Sequence, residues 1–341
     1  MDYADAGVSL ERAEKAMEGI KASVKSTFNK QVLGDIGNFG GLFTLNGLGL
    51  KDPVLVSSVD GVGTKLKIAF DTGWHDKPGR DIVNHCTDDI LVQGARPLFF
   101  LDYVATGELK DGVLEEIVRG MSESCIENNC VLIGGETAEM PGFYSEGEYD
   151  ISGTIVGAAE KDQIIDGSKI KAGNVILGVS SSGLHTNGYS LARKALFEVG
   201  GHTLHEKMSN GVTIAEALSE PHRSYLPSFW PIIEAKKFNG LVHITGSGFQ
   251  GNIPRVLPKT LNAEVDLSAW DVPEIFQLIQ KAGDVEKLEM YNTFNMGIGM
   301  LCIVEAEDAE TIQKQLTDAG ETVCVAGRIL DGDGSVQFTG I

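Results

Sequence analysis

The sequence predicts a two-domain α+β protein, on three observations. At about 150 residues per domain, 341 residues make roughly two domains. Through the first half, apolar β-branched runs alternate with stretches of helical spacing. Near residue 168 a polar stretch interrupts this alternation and a new strand and helix pattern begins. The domains are therefore expected at 1–168 and 169–341, the second an α/β, sandwich-like unit.

Taken in order, 54–59 is a short β-branched run ending at Asp60, and 98–104, 131–133 and 149–159 read as further strands. Residues 80–93 and 111–128 lie between them with helical spacing, Ile82, Cys86 and Ile90 falling four apart on one face. The polar stretch 161–173 contains the turn-forming Asp166-Gly167-Ser168. After it come a strand at 174–179, helices at 187–199 and 228–237, strands at 241–245 and 263–267, and a helix near 272–281. A strand at 297–305, a helix at 306–319 and a strand at 322–330 follow. Asp331-Gly332-Asp333-Gly334 starts like a calcium loop, but the twelfth position is missing, so a hairpin turn is expected.

Composition narrows the function. The formal net charge of −20, with no cluster of lysine or arginine, disfavours nucleic acid and anionic membrane as partners, since both require concentrated positive charge. No apolar stretch reaches the roughly 18 residues that span a bilayer, and the first ten residues lack a secretory layout; a cytoplasmic protein is expected. Five scattered cysteines without a C-x-x-C pair suggest neither a disulfide framework nor structural zinc; Cys302 and Cys324 read as buried small hydrophobes. Glycine takes 42 of the 341 positions, well above the usual ~7 %, which points to backbone loops that approach a ligand.

Four segments are candidates for chemistry. In Asp60-Gly61-Val62-Gly63-Thr64-Lys65, two glycines allow close backbone approach to phosphate, Lys65 offers a point charge, and Asp60 can face a metal. A tight strand-to-helix turn is the structural alternative; it is not a Walker A loop. Asp81, His85 and Asp89 recur four apart on one helix face; they could ligate a divalent ion, although the spacing alone favours a solvated face. Gly134-Gly135-Glu136-Thr137-Ala138-Glu139-Met140-Pro141-Gly142 reads as a shaped loop after a strand. Were Asp60, Asp89 and Glu136 to converge, each carboxylate pair about 4 Å apart would cost on the order of 4 kcal/mol at an effective dielectric of 20, so the cluster would need a cation, and a hard oxygen set suits Mg²⁺. The run from Ser180 to Gly188, with His185, Thr186 and Asn187, joins a strand to a helix that it could cap, leaving free amides for an anion.

Gly246-Ser247-Gly248-Phe249-Gln250-Gly251 matches G-x-G-x-x-G after a strand. A dinucleotide fold needs a full helix next, whereas Pro254 and Pro258 interrupt the available ten residues. A phosphate clamp or a simple turn remains.

Together with Asp5-Ala6-Gly7-Val8, Pro97-Leu98-Phe99-Phe100-Leu101-Asp102-Tyr103, Asn187-Gly188-Tyr189-Ser190-Leu191, His243-Ile244-Thr245-Gly246 and Phe294-Asn295-Met296-Gly297, these segments resemble the phosphoribosylformylglycinamidine cyclo-ligase (aminoimidazole ribonucleotide synthetase) family over nearly the whole chain. Selenophosphate synthetase is a weaker match, because that family places a reactive cysteine near its N-terminus and the first cysteine here is Cys86. A nucleotide-binding protein without turnover is the non-enzymatic alternative.

The resemblance implies ATP-dependent cyclisation of formylglycinamidine ribonucleotide to aminoimidazole ribonucleotide, in a homodimer whose first domains pair into a β-barrel. By the same resemblance Asp60, Asp89 and Glu136 would hold Mg²⁺ and the ATP phosphates, with Asp60, Lys65 and His185 as catalytic groups. Gly61, Gly63, Thr64, Lys65, Asp89, Gly134, Gly135, Asn187, Gly246 and Gly248 would bind ATP and phosphate; a monovalent cation is compatible. The chain departs from the family's usual residues at Asp88, Thr186, Ser247, Gly251 and Asn292, where Asn, Ser, Gly, Glu and Arg are customary.

Overall fold

The computed structural model describes residues 10–37 and 39–340, so the Asp5-Ala6-Gly7-Val8 segment lies outside the described residues. The chain forms two compact units, Met1–Ile90 with Ala95–Lys161, and Leu91–Gly94 with Asp162–Ile341. Both mix helices with strands.

The first unit runs α1 (Leu10–Ser26), β1 (Pro53–Gly61), a 3₁₀ turn (Gly63–Lys65), α2 (Leu66–Thr72), α3 (Asp76–Leu91), β2 (Arg96–Thr106), α4 (Val113–Glu127), β3 (Val131–Glu139) and β4 (Tyr149–Glu160). Its open sheet has the order β1-β4-β2-β3, with β2 and β3 parallel and the other pairs antiparallel. Side chains alternate across a strand, so Val54, Val56, Ser58 and Asp60 of β1 turn to the half-buried face while Leu55 and Val59 are 58 % and 65 % exposed. The covered face carries α3, whose Cys86 thiol reaches the Gly153 carbonyl. Ile82, Cys86 and Ile90 are fully buried, as their spacing predicts. Two glycines let α3 and α4 come close. A Cβ on Gly79 would stand 2.1 Å from the Ile117 carbonyl oxygen, and one on Gly120 would stand 1.9 Å from that of Asp76.

The second unit contains β5 (Val175–Ser180), α5 (Tyr189–Arg193) running into a π-helical stretch (Lys194–Val199), α6 (Ile214–Ser219), α7 (Leu226–Glu234), β6 (Gly240–His243), α8 (Gly248–Asn252), β7 (Leu261–Asp266), α9 (Glu274–Gly283), α10 (Lys287–Thr293), β8 (Ile298–Val304), α11 (Ala309–Asp318), β9 (Val323–Asp331) and β10 (Val336–Thr339). The sheet order is β10-β7-β9-β5-β8-β6. β8 is buried along its whole length, which explains its unbroken apolar run. Leu177, Val179, Tyr225, Phe229, Leu241, Met300, Cys302 and Leu316 belong to one core cluster. Cys302 is buried as expected, and Cys324 is half-buried.

Four local expectations need correction. Residues 134–139 are not a loop: β3 continues through them, paired in parallel with Leu101 to Thr106 of β2. The turn at 331–334 does not make a hairpin, because β10 passes β9 and pairs in parallel with β7. Asn262 of β7 organises that crossing; its Oδ1 accepts from the backbone N–H groups of Asp333, Gly334 and Ser335. No side chain caps α5: its N-cap is Gly188, in the left-handed region at φ 80°. Finally, the Asp81 and His85 face of α3 is buried rather than solvated, together with Asn84, Thr87 and Asp88.

Candidate active site

In the first unit the candidate groups gather where β1 ends over α3. The chain turns through Gly63, whose φ of 68° favours glycine. Asp60 Oδ1 accepts from the Gly61 N–H at 2.7 Å, and its Oδ2 lies 2.9 Å from His85 Nε2. Asp89, one turn beyond His85, places Oδ2 3.8 Å from the same nitrogen and accepts from Ser58 Oγ at 3.0 Å. Burial works against the Asp60 carboxylate, but the His85 hydrogen bond and charge and the Gly61 N–H outweigh it and hold its pKa below the usual range. For His85, burial opposes the imidazolium, and Asp60, Asp89 and Asp81 together raise its pKa despite it. Both carboxylates keep solvent access, with side chains 38 % and 27 % exposed, and their oxygens suit a hard cation.

Lys65 is placed otherwise than its motif suggests. Its ammonium turns inward to Asp81 Oδ1 at 2.8 Å, with both side chains buried. Removing one partner of such a pair costs about 3–5 kcal/mol, so the pair fastens the turn that follows Asp60. Asp81 is thereby a structural partner of Lys65 and not a third ligand beside His85 and Asp89.

Glu136 does not join Asp60 and Asp89. Across the sheet Asp60 aligns with Gly153, Asp102 and Gly135, whereas Glu136 aligns with Tyr103, Ser152 and Gly61. These are adjacent rows, so Glu136 projects from the opposite face, and three strand spacings of about 4.8 Å separate β3 from β1. Gly135 instead makes room for a carboxyl group, since a Cβ there would stand 1.9 Å from Asp102 Oδ1. Burial, opposed by a hydrogen bond to its own backbone and reinforced by the Glu136 charge, lifts the Asp102 pKa to about 7.

The second unit brings two loops together. After β5, His185 takes a left-handed backbone at φ 62° and its Nε2 accepts from the Ser182 N–H at 3.2 Å. Asn187 Oδ1 sits 3.2 Å from where a Cβ on Gly246 would lie, so the absence of a side chain at 246 permits the approach. Asn187 Nδ2 is buried without a hydrogen-bond partner, the kind of donor a ligand satisfies. Gly248, at φ 54°, has no room for a Cβ, which would meet the Tyr291 carbonyl oxygen at 1.9 Å. Sequence reasoning missed the anchor of this loop, Asn252. Its Nδ2 donates to the carbonyls of Thr245, Gly246 and Gly248, and its Oδ1 accepts from Thr245 Oγ1. The available signal was an amide side chain directly after G-x-G-x-x-G.

Known proteins match this organisation. AIR synthase related protein models match on residues 48–159 for the N-terminal domain and 171–338 for the C-terminal domain. A relative from Alkaliphilus metalliredigens named phosphoribosylformylglycinamidine cyclo-ligase is 48 % identical over 98 % of this chain and 97 % of its own. One of the same name from Trichlorobacter lovleyi is 51 % identical over 96 % and 94 %. The chain belongs to the phosphoribosylformylglycinamidine cyclo-ligase family. Members of this family are ligases, and the chain is an enzyme of that class. Beyond the cyclo-ligases the fold is shared with thiamine-monophosphate kinase from Stenotrophomonas maltophilia (TM-score 0.67, 17 % identity, 95 % of each chain). It is shared equally with the hydrogenase maturation protein HypE, solved in complex with ATP (TM-score 0.67, 17 % identity, 96 % and 90 % of the chains). Among the described residues of this cyclo-ligase family member, no helix is long and apolar enough to cross a membrane.

Proposed function

We propose that the chain catalyses, in the cytoplasm, the ATP-dependent closure of formylglycinamidine ribonucleotide to 5-aminoimidazole ribonucleotide, with release of ADP and phosphate, in de novo purine biosynthesis. The observation that carries this reading is identity near 50 % over almost the full length with relatives of that name. An amide oxygen is a poor leaving group. Transfer of the γ-phosphoryl to it gives an iminophosphate, the substrate's own nitrogen attacks the activated carbon, and the C–O bond breaks as phosphate leaves. Such chemistry asks the protein chiefly for positioning and charge neutralisation.

The backbone of Gly61, Gly63 and Thr64 approaches the ATP phosphates on a turn that Lys65 and Asp81 hold from beneath. Asp60 and Asp89 would hold Mg²⁺, which when bound neutralises phosphate charge; His85 orients Asp60 from behind. In the second unit His185, Asn187 and the Gly246 to Gly248 loop face the ribonucleotide and its phosphate, and the buried Asn187 Nδ2 supports this role. The working molecule is a homodimer. Leu55, Val59 and Tyr103 lie exposed on the uncovered face of the first unit's sheet, and pairing two such faces would close a barrel. Glu136 lies on that same face and so belongs to the junction between copies.

Incubation with ATP, Mg²⁺ and formylglycinamidine ribonucleotide is expected to yield the aminoimidazole product with one ADP per turnover. ADP without that product would overturn the assignment.

A further inference from the structure

Phe294-Asn295-Met296-Gly297 joins α10 to β8 in the second unit. Asn295 is buried, and its side chain reaches across to the segment after β5 that carries His185 and Asn187. Its Nδ2 donates to the Gly183 carbonyl at 2.8 Å, while its Oδ1 accepts from the Gly297 N–H at 2.9 Å. The Ser181 hydroxyl shares its proton between Asn295 Oδ1 at 3.1 Å and the Gly183 carbonyl at 2.8 Å, and the Ser181 N–H donates to the Gly297 carbonyl. Phe294 braces the far end of the same segment: a Cβ on Gly188 would stand 2.2 Å from its ring. The turn is itself fixed, since the Met296 carbonyl accepts from Trp270 Nε1 at 3.0 Å. Directly after it, Gly299 of β8 leaves room for the His185 ring, whose Cε1 would lie 2.7 Å from a Cβ there.

We infer that Asn295 is a positioning residue for the ribonucleotide, acting through the backbone of 181–188 to aim His185 and Asn187, with Phe294 as its partner at Gly188. The inference rests on the proposed function, in which those two side chains face the ribonucleotide. A loop directs side chains accurately only when other elements fix its backbone. His185 holds a left-handed backbone at φ 62°, a conformation that persists where the surroundings impose it; the bonded Gly183 carbonyl lies two residues before it. Asn187 Nδ2 is buried without a hydrogen-bond partner, so its backbone, and not a bond at that nitrogen, sets its direction. An amide suits position 295 because it offers a donor and an acceptor side by side. One side chain thereby ties the 181–183 turn and its own turn together.

The test measures two affinities of the full-length protein by calorimetry, one for 5-aminoimidazole ribonucleotide and one for a non-hydrolysable ATP analogue with Mg²⁺. Asn295→Asp keeps the volume but sets a carboxylate oxygen against the Gly183 carbonyl. It is expected to weaken the ribonucleotide about tenfold or more and to leave the ATP analogue unchanged. Ser181→Ala, a milder release of the same turn, is expected to weaken the ribonucleotide about threefold and serves if the first variant does not fold. Combined with Asn187→Ala, either change is expected to cost less than it does alone, because the side chain it aims is already gone. A merely structural role would weaken both ligands alike. That result, losses additive with Asn187→Ala, or ribonucleotide affinity unchanged in whichever variant folds would each overturn the positioning role. Wild type that binds the ATP analogue but no ribonucleotide is a distinct outcome, which refutes the proposed substrate and this inference with it.

Discussion

The residue scale separates catalysis from support. Asp60 is half-exposed and accepts from His85 and Gly61, so Asp60→Asn is expected to cut turnover by orders of magnitude while removing on the order of 1 kcal/mol of stability. Wild-type turnover in the steady-state assay would contradict its role. Asp102 behaves oppositely, because burial raises its pKa to about 7. As pH rises from about 4, the unfolded carboxyl ionises first, so this group subtracts stability progressively until about pH 7, by a few kcal/mol at most. Asp102→Asn should flatten that decline, as urea midpoints at pH 5 and pH 8 would show. Ser247 and Gly251 form a coupled departure from the family's customary Gly and Glu. Ser247 is left-handed at φ 77°, and a Cβ on Gly251 would stand 2.3 Å from Ser247 Cβ. Gly251→Glu alone is therefore expected to destabilise by about 1–3 kcal/mol, and adding Ser247→Gly to restore most of it. A thermal-melt double-mutant cycle with no coupling would refute the pairing.

At the scale of elements, glycine serves packing as much as ligand approach. Gly79 and Gly120 face opposing backbone where α3 meets α4, and Gly135 leaves room for the Asp102 carboxyl. Gly120→Ala would gain helix propensity of ~1 kcal/mol in isolation, but its methyl would meet the Asp76 carbonyl oxygen. The expected net result is a lower unfolding midpoint, and a raised one in differential scanning calorimetry would show that the helices do not depend on this contact. The elements were largely legible. The apolar spacing of α3 and α4 and the apolar runs of β1, β2 and β5 all read correctly, since burial leaves a pattern in the chain. The continuation of β3 through Gly134 to Glu139 was not legible, because two glycines and two glutamates look like a loop until β2 supplies hydrogen-bond partners. The parallel placement of β10 escaped for a related reason: Asp331-Gly332-Asp333-Gly334 is a turn in either topology, and Asn262, some seventy residues earlier, redirects it.

For the whole molecule, the uncovered sheet face of the first unit makes the oligomeric state consequential. Leu55, Val59 and Tyr103 put an apolar stripe on a chain of net charge −20, and such a stripe marks an interaction surface. Val59→Glu is expected to convert a dimer into a monomer, with mass read by light scattering after size exclusion; a wild-type monomer at micromolar concentration would remove the homodimer from the proposal.

The sequence by itself determined the two-part α/β organisation and the family, because motif identity and periodic burial are local properties. Only the tertiary structure decided what each charged side chain does. Lys65 could equally have met phosphate or a buried carboxylate until α3 brought Asp81 to it. Glu136 could have joined Asp60 until strand order and side-chain parity set it on the other face of the sheet. A charge takes its role from the groups within a few ångströms of it, and residues far apart in the chain supply those groups.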